Sequence, residues 1–236
     1  MANPLDDPRI AQGMATQFRL RATRLEAGEK LIGWKAGFGA PAVLAKLKLD
    51  AALAGFMTDK GKLPSGATVS LAGWTKPAAE PEIAIYLGRD LPGGADEATA
   101  RAAIAAIGPA IELVDLKPPL NDVEAILSGN IFHRHVILGA ADQSRAGADV
   151  SGLTATIIRN GEEAGSTTEV EALTGPLVAI ARRIADTVAG MGETLKAGEV
   201  IIAGSLVPAI FLSSEDRSLS YTLDPIGGVE VSFSGR

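Results

Sequence analysis

Three glutamates set inside apolar, strand-like stretches limit what this chain can fold into. Two lie in Ala79-Glu80-Pro81-Glu82-Ile83-Ala84-Ile85, and the third in Pro109-Ala110-Ile111-Glu112-Leu113-Val114-Asp115. A carboxylate inside an apolar strand is costly unless something pairs with it. Residues i and i+2 of a strand share a face, so Glu80 and Glu82 can converge. Two carboxylates side by side repel, and a cation relieves that repulsion. With Glu112 from a neighbouring strand, the set offers only oxygen ligands, which suits Mg²⁺ or Mn²⁺ and suits Zn²⁺ poorly. Taken alone, Glu-x-Glu is more often a solvated pair on a sheet edge. Pro81 fits either case, because a residue without an N–H marks an edge, a bulge or a strand start. Ile111, Leu113 and Val114 place Glu112 on a largely buried strand, and that tilts the reading towards a metal site.

Composition narrows the classes. A chain of 236 residues, 47% of them apolar, can bury a sizeable core. The net charge of −6, with scattered Lys and Arg, argues against a nucleic-acid footprint. No cysteine is present, which removes disulfides, thiolate chemistry and cysteine metal sites, and fits a cytoplasmic protein. The segment from Met1 to Asp7 lacks the apolar centre of a signal peptide. No apolar run reaches membrane-spanning length.

Periodicity predicts an amphipathic helix from about Asp7 to Gly28, with Ile10, Met14, Phe18, Ala22 and Leu25 as its stripe. Arg19, Arg21 and Arg24 fall off that stripe and read as a solvated face. Strands are expected at 31–38, 67–71, 82–87, 110–114, 136–138, 153–158, 163–166, 199–202, 218–223 and 229–233. Helices are expected at 41–49, 98–107, 123–127 and 176–191, and a loop at 59–66. Asn160-Gly161 is a two-residue hairpin signal. Strands outnumber helices and do not alternate with them, which disfavours a doubly wound fold. The expectation is an α+β chain, a rolled or sandwiched mixed sheet with a few flanking helices. It forms a single domain over 1–236, with a helix-and-strand portion (1–66) packed on a β-roll core (67–236).

Other side chains could carry chemistry. Lys35, flanked by Gly33, Trp34, Ala36 and Gly37, is either an acid–base group in an apolar strand or a strand-end lysine that snorkels to water. His133 and His135 either flank a strand or line a cleft. Ser205 after Gly204 either makes a turn or binds a substrate carboxylate. No Gly-x-Ser-x-Gly elbow and no phosphate-cradling glycine loop is present.

In order along the chain, several segments resemble the fumarylacetoacetate hydrolase superfamily, in its branch of 2-oxopent-4-enoate hydratases and 4-oxalocrotonate decarboxylases. They are Gly33-Trp34-Lys35-Ala36-Gly37, the strand from Glu80 to Leu91, the strand around Glu112, Asn130 followed by Val136-Ile137-Leu138-Gly139, and Leu195 to Ser205. The resemblance implies a mixed β-roll, a homo-oligomer, and a lyase of aromatic-compound breakdown. It also implies Glu80, Glu82 and Glu112 as ligands of Mg²⁺ or Mn²⁺, Lys35 as the catalytic lysine, and Ser205 in the substrate pocket; Asn130, in a matching segment, and His133, from its own position, are expected as further substrate contacts. The substrate would be a short unsaturated 2-oxo acid, processed through an enolate. Hydration is the leading expectation, because an imidazole at His133 could narrow the pocket and orient a water. The alternatives are a 4-oxalocrotonate-type decarboxylase or a non-catalytic binder of 2-oxo acids. The chain departs from the pattern at Phe38-Gly39-Ala40, where a hydroxyl is common, at Gly129, where Asp is common, and at both histidines. The C–C hydrolases of the superfamily are less similar, since no histidine precedes Glu112.

Overall fold

The computed structural model describes residues 3–117 and 119–235. Its elements run α1 (Pro8–Glu26), β1 (Leu31–Gly37), α2 (Pro41–Leu47), β2 (Leu53–Thr58), β3 (Lys62–Leu63), β4 (Ala67–Ser70), β5 (Pro77–Leu87), α3 (Glu97–Ala103) and β6 (Ile104–Asp115). They continue with α4 (Val123–Ser128), β7 (His133–Leu138), β8 (Thr154–Arg159), β9 (Glu162–Thr167), α5 (Leu177–Gly190), β10 (Val200–Ser205), β11 (Ile210–Phe211), β12 (Ser218–Asp224) and β13 (Gly227–Ser234). One mixed sheet has the order β2-β1-β10-β5-β6-β7-β3, with β11 added on β5; a second has the order β4-β13-β12-β8-β9.

The first sheet is rolled, and one side-chain contact proves it. Lys35 in β1 bonds Glu112 in β6, although β10 and β5 lie between them. Three strand spacings in a flat sheet span about 14 Å, beyond a lysine's reach. The sheet must therefore curl until β1 faces β6. The outward face packs into the main core with α5 and the second sheet. The inward face carries a small apolar cluster of Met57, Ala84, Ala110, Val136, Val200 and Ile202.

Curling brings the free edge of β2 against the turn that precedes β7. There the Asn130 amide accepts from the Phe56 N–H at 2.8 Å and donates to the Phe56 carbonyl at 2.9 Å. Gln17 of α1 donates to the next outward carbonyl, Ala54, at 3.1 Å. Two side-chain amides thus satisfy an edge that would otherwise be buried with unpaired backbone groups. Gly33 permits the close approach of β1 to β10, since a Cβ there would stand 1.9 Å from the Val200 carbonyl oxygen.

Several expectations change. Residues 1–66 are not packed on the roll but woven into it, because β1 and β2 extend the sheet from β10 and β3 extends it from β7. The expected helix at 98–107 ends at Ala103, and Ile104 already belongs to β6, where sheet pairing overrides the alanine-rich helical signal. The expected loop at 59–66 holds a short helical turn and then β3, parallel to β7. Arg21 is buried, not solvated: its guanidinium lies 4.1 Å from the Phe18 ring centre and bonds Glu193. Stacking on aromatic faces lets a cation tolerate that burial. Arg19 remains exposed as expected.

Candidate metal centre and substrate cavity

Antiparallel pairing of β5 and β6 sets Glu80 directly opposite Glu112 and Glu82 opposite Ala110. Opposed residues on one face have Cβ atoms about 5 Å apart, so the three carboxylates meet on the inner face of the roll. Oxygen atoms from all three lie within 4.8 Å of one another. Like charges so placed destabilise a sheet unless compensated. Burial, then the charge of Glu112, pushes the Glu80 carboxyl up to about 7, against a smaller opposing pull from Lys35. Glu82 is raised well above the ordinary range, by burial first and then by both other glutamates.

Glu112 behaves differently. Burial pushes it up, but the Lys35 ammonium and the His133 ring outweigh burial and hold its carboxyl below the ordinary value. Both partners converge on one oxygen: Oε1 takes Lys35 Nζ at 2.5 Å and His133 Nδ1 at 2.6 Å. Oε2 is buried and has no hydrogen-bond partner among the described residues. Glu82 is split the same way, with Oε2 accepting from the Gly204 N–H at 2.7 Å and Oε1 buried without a partner. Each carboxylate thus has one oxygen fixed by the protein and one left open beside the other glutamates. Three carboxylates and one ammonium leave two negative charges, which a single divalent hard cation would cancel. The donor set fits Mg²⁺ or Mn²⁺.

Lys35 is 1% exposed and does not snorkel. Gly55 lets it lie across β2, because a Cβ there would come within 2.9 Å of Lys35 Cγ. Its Nζ also donates to the Ile131 carbonyl at 3.3 Å, so one of its three donors is left for a ligand. That carbonyl is aimed by three successive left-handed residues, Asn130, Ile131 and Phe132, with φ of 53°, 49° and 62°. Ile at positive φ is strained and persists only where packing over-determines it. Nothing in the sequence around Ile131 signals that role.

The structure brings together Lys35, Glu80, Glu82, Glu112 and Ser205, and sets two expected contacts apart. Asn130 is buried, and both ends of its amide bond Phe56 and close the roll. His133 stands behind Glu112 and does not line the cavity in front of the glutamates. Burial lowers its ring below the ordinary value, which leaves a neutral imidazole donating Nδ1–H to the carboxylate. It fixes a ligand, and it lines a separate cavity of about 340 Å³ beside Arg24, Phe132 and Arg134. His135 stacks on Trp74 with centroids 6.1 Å apart. The cavity itself measures about 380 Å³ and is reached by Glu80, Ser205, Ala36 and Gly37. Ser205 Oγ is buried and unpartnered among the described residues. Tyr221 was not anticipated: its hydroxyl is buried without a partner among the described residues, and burial and then Glu82 raise its pKa.

A curled sheet gathers three carboxylates able to hold a hard cation, and Glu80 of that group lines a cavity of small-molecule size. The fumarylacetoacetate hydrolase C-terminal model matches residues 45–232, and the chain belongs to that family. Among its relatives, a 2-hydroxyhexa-2,4-dienoate hydratase of Comamonas testosteroni is 31% identical, over 98% of this chain and 90% of the relative. A 4-oxalocrotonate decarboxylase of a Pseudomonas species is 30% identical, over 96% and 88%. The 4-oxalocrotonate decarboxylase of Pseudomonas putida G7, solved with magnesium and adipate, shares the fold with a TM-score of 0.87 at 23% identity, covering 95% of this chain and 86% of that one. Among the described residues, no helix is long and apolar enough to cross a membrane.

Proposed function

We propose that this protein is a divalent-cation-dependent lyase for a short unsaturated 2-oxo acid, with hydration of a 2-hydroxy-2,4-dienoate as its leading reaction. The division of Glu112 carries the reading. One of its oxygens is held by Lys35 and His133, and the other is open beside Glu80 and Glu82. That arrangement joins a cation site to a proton-handling lysine through a single carboxylate. A bound cation would supply Lewis acidity towards the oxygens of a 2-oxo acid.

The chain's own groups do the rest. Lys35 keeps a donor directed away from Glu112 and moves a proton to or from the substrate skeleton. The Gly204 N–H and the His133 ring hold Glu82 and Glu112 in place, so that their free oxygens remain fixed. The Ser205 hydroxyl, unpartnered at the cavity wall, donates to the substrate carboxylate. The hydratase named above, at 31% identity over nearly the whole chain, supports hydration. The relative at 30% identity supports decarboxylation of a 4-oxalocrotonate-like acid as the second reading. The same proposal includes a homo-oligomer in the cytoplasm, which light scattering and cell fractionation would test.

The deciding experiment offers the Mg²⁺-loaded protein 2-hydroxypenta-2,4-dienoate and, separately, 4-oxalocrotonate. Ultraviolet loss of the diene, with formation of a 4-hydroxy-2-oxo acid, is the expected result. Carbon dioxide release from the diacid, with no hydration of the dienoate, would reverse the order of the two readings. Metal binding without turnover of either compound would make the protein a 2-oxo-acid binder.

A further inference from the structure

We infer that the cavity selects 2-oxo monoacids with an uncharged hydrocarbon tail and rejects 2-oxo diacids; this rests on the metal-dependent 2-oxo-acid reading above. The apolar side chains that line the cavity include Phe38, Val43, Leu116, Leu120, Leu173 and Val207. Among the described lining residues there is no lysine, arginine or histidine. Beyond Glu80, the polar side chains are Ser205 and Thr174, and the Thr174 hydroxyl already donates to the Gly175 carbonyl at 3.4 Å.

A second carboxylate carried into this space would lose its water and gain no cation, a loss that burial of a charge does not forgive. The charge of the centre adds to the penalty. A divalent cation only balances the three glutamates and Lys35, so the first substrate carboxylate already makes the site negative. An adjoining cavity of about 260 Å³ shares Gly39, Ala52 and Thr174 with the first and is lined by Arg183. That guanidinium lines the second cavity and not the first; Asp50 lies in the same cavity and, with Asp186, acts on it. Size is not the limit. At about 30 Å³ per water, the first cavity has room for roughly a dozen water-sized groups.

The test uses the full chain loaded with Mg²⁺ and measures binding by calorimetry. Oxalate probes the centre, while 2-oxohexanoate and 2-oxoadipate probe the tail at equal carbon number. The expected result is Mg²⁺-dependent oxalate binding, with 2-oxohexanoate held at least about tenfold more tightly than 2-oxoadipate, a difference of about 1.4 kcal/mol. Val207→Lys, at a half-buried wall position, is expected to shrink or invert that ratio. Equal or tighter binding of 2-oxoadipate by the unmodified chain, with oxalate binding intact, would overturn the selectivity alone. Absence of Mg²⁺-dependent oxalate binding would overturn the underlying reading, and the selectivity with it.

Discussion

Lys35 and Glu112 are 77 residues and three strand positions apart, and their side chains meet at 2.5 Å inside the roll. The contact closes the sheet and arms the site at once. Lys35→Met is expected to lower turnover by a factor on the order of 10²–10⁴, as for other acid–base groups. It also strips a partner from a buried charge, for which the usual cost is about 3–5 kcal/mol. His133 still holds Glu112, so the lower end of that range is expected. Stopped-flow kinetics and denaturant unfolding check the two effects separately. Kinetics close to those of the unmodified chain would return Lys35 to a purely structural role.

The open oxygens of Glu82 and Glu112 lead to a prediction about metal. Mg²⁺ or Mn²⁺ at 100 times its dissociation constant should stabilise the chelator-treated protein by about 2.7 kcal/mol, read as a rise in melting temperature. Glu80→Gln/Glu82→Gln should abolish the rise. An undiminished rise in that double variant would remove the three glutamates as ligands.

His133 acts through Glu112, so its loss should appear first in the metal. His133→Ala is expected to weaken Mg²⁺ binding by about 10–100-fold, the usual effect of removing a partner of a ligand. At saturating Mg²⁺ the KM for substrate should stay near its original value. A raised KM with unchanged Mg²⁺ affinity would place the imidazole in contact with substrate instead.

Asn130 contributes stability rather than substrate contacts. Asn130→Ala leaves the Phe56 N–H and carbonyl unpaired in the interior. At about 1–3 kcal/mol per unsatisfied group, a loss of roughly 2–6 kcal/mol is expected, measured as a lower denaturant midpoint. An unchanged midpoint with a raised KM would assign Asn130 to the substrate.

Acid stability should track Asp216. Its hydrogen bonds with Arg159 come first among the causes that hold its carboxyl at about 2, with help from the Ser213 N–H and against the effect of burial. A depressed carboxylate contributes stability that is complete above its unfolded value near 4 and is lost as pH falls through about 2. The contribution, discounted for the partial exposure of Arg159, is about 1–2 kcal/mol. Asp216→Asn should therefore be less stable than the unmodified chain at pH 7, with the gap closing between pH 4 and pH 2. A gap that stays constant across that range would assign the effect to packing.

The sequence by itself determined the parts that depend on neighbours along the chain. Period-2 and period-3.6 patterns located most strands and helices, because side-chain direction repeats with backbone geometry. Carboxylates among Ile, Leu and Val announced a compensated site, because burying an unpaired charge is too costly to occur without a reason. Tertiary structure decided what depends on curvature. Only the roll brings Lys35 across two strands to Glu112, sets the His133 ring against the same carboxylate, and places Asn130 on the free edge of β2. It alone fixes Ile131 and Phe132 at positive φ, against their own preference, because packing around them outweighs a local strain of about 1–3 kcal/mol each. It also buries Arg21 over Phe18 and Trp34, where the pattern of α1 placed a solvated cation. Local preference is written residue by residue, whereas the curvature of a sheet is a property of all its strands together.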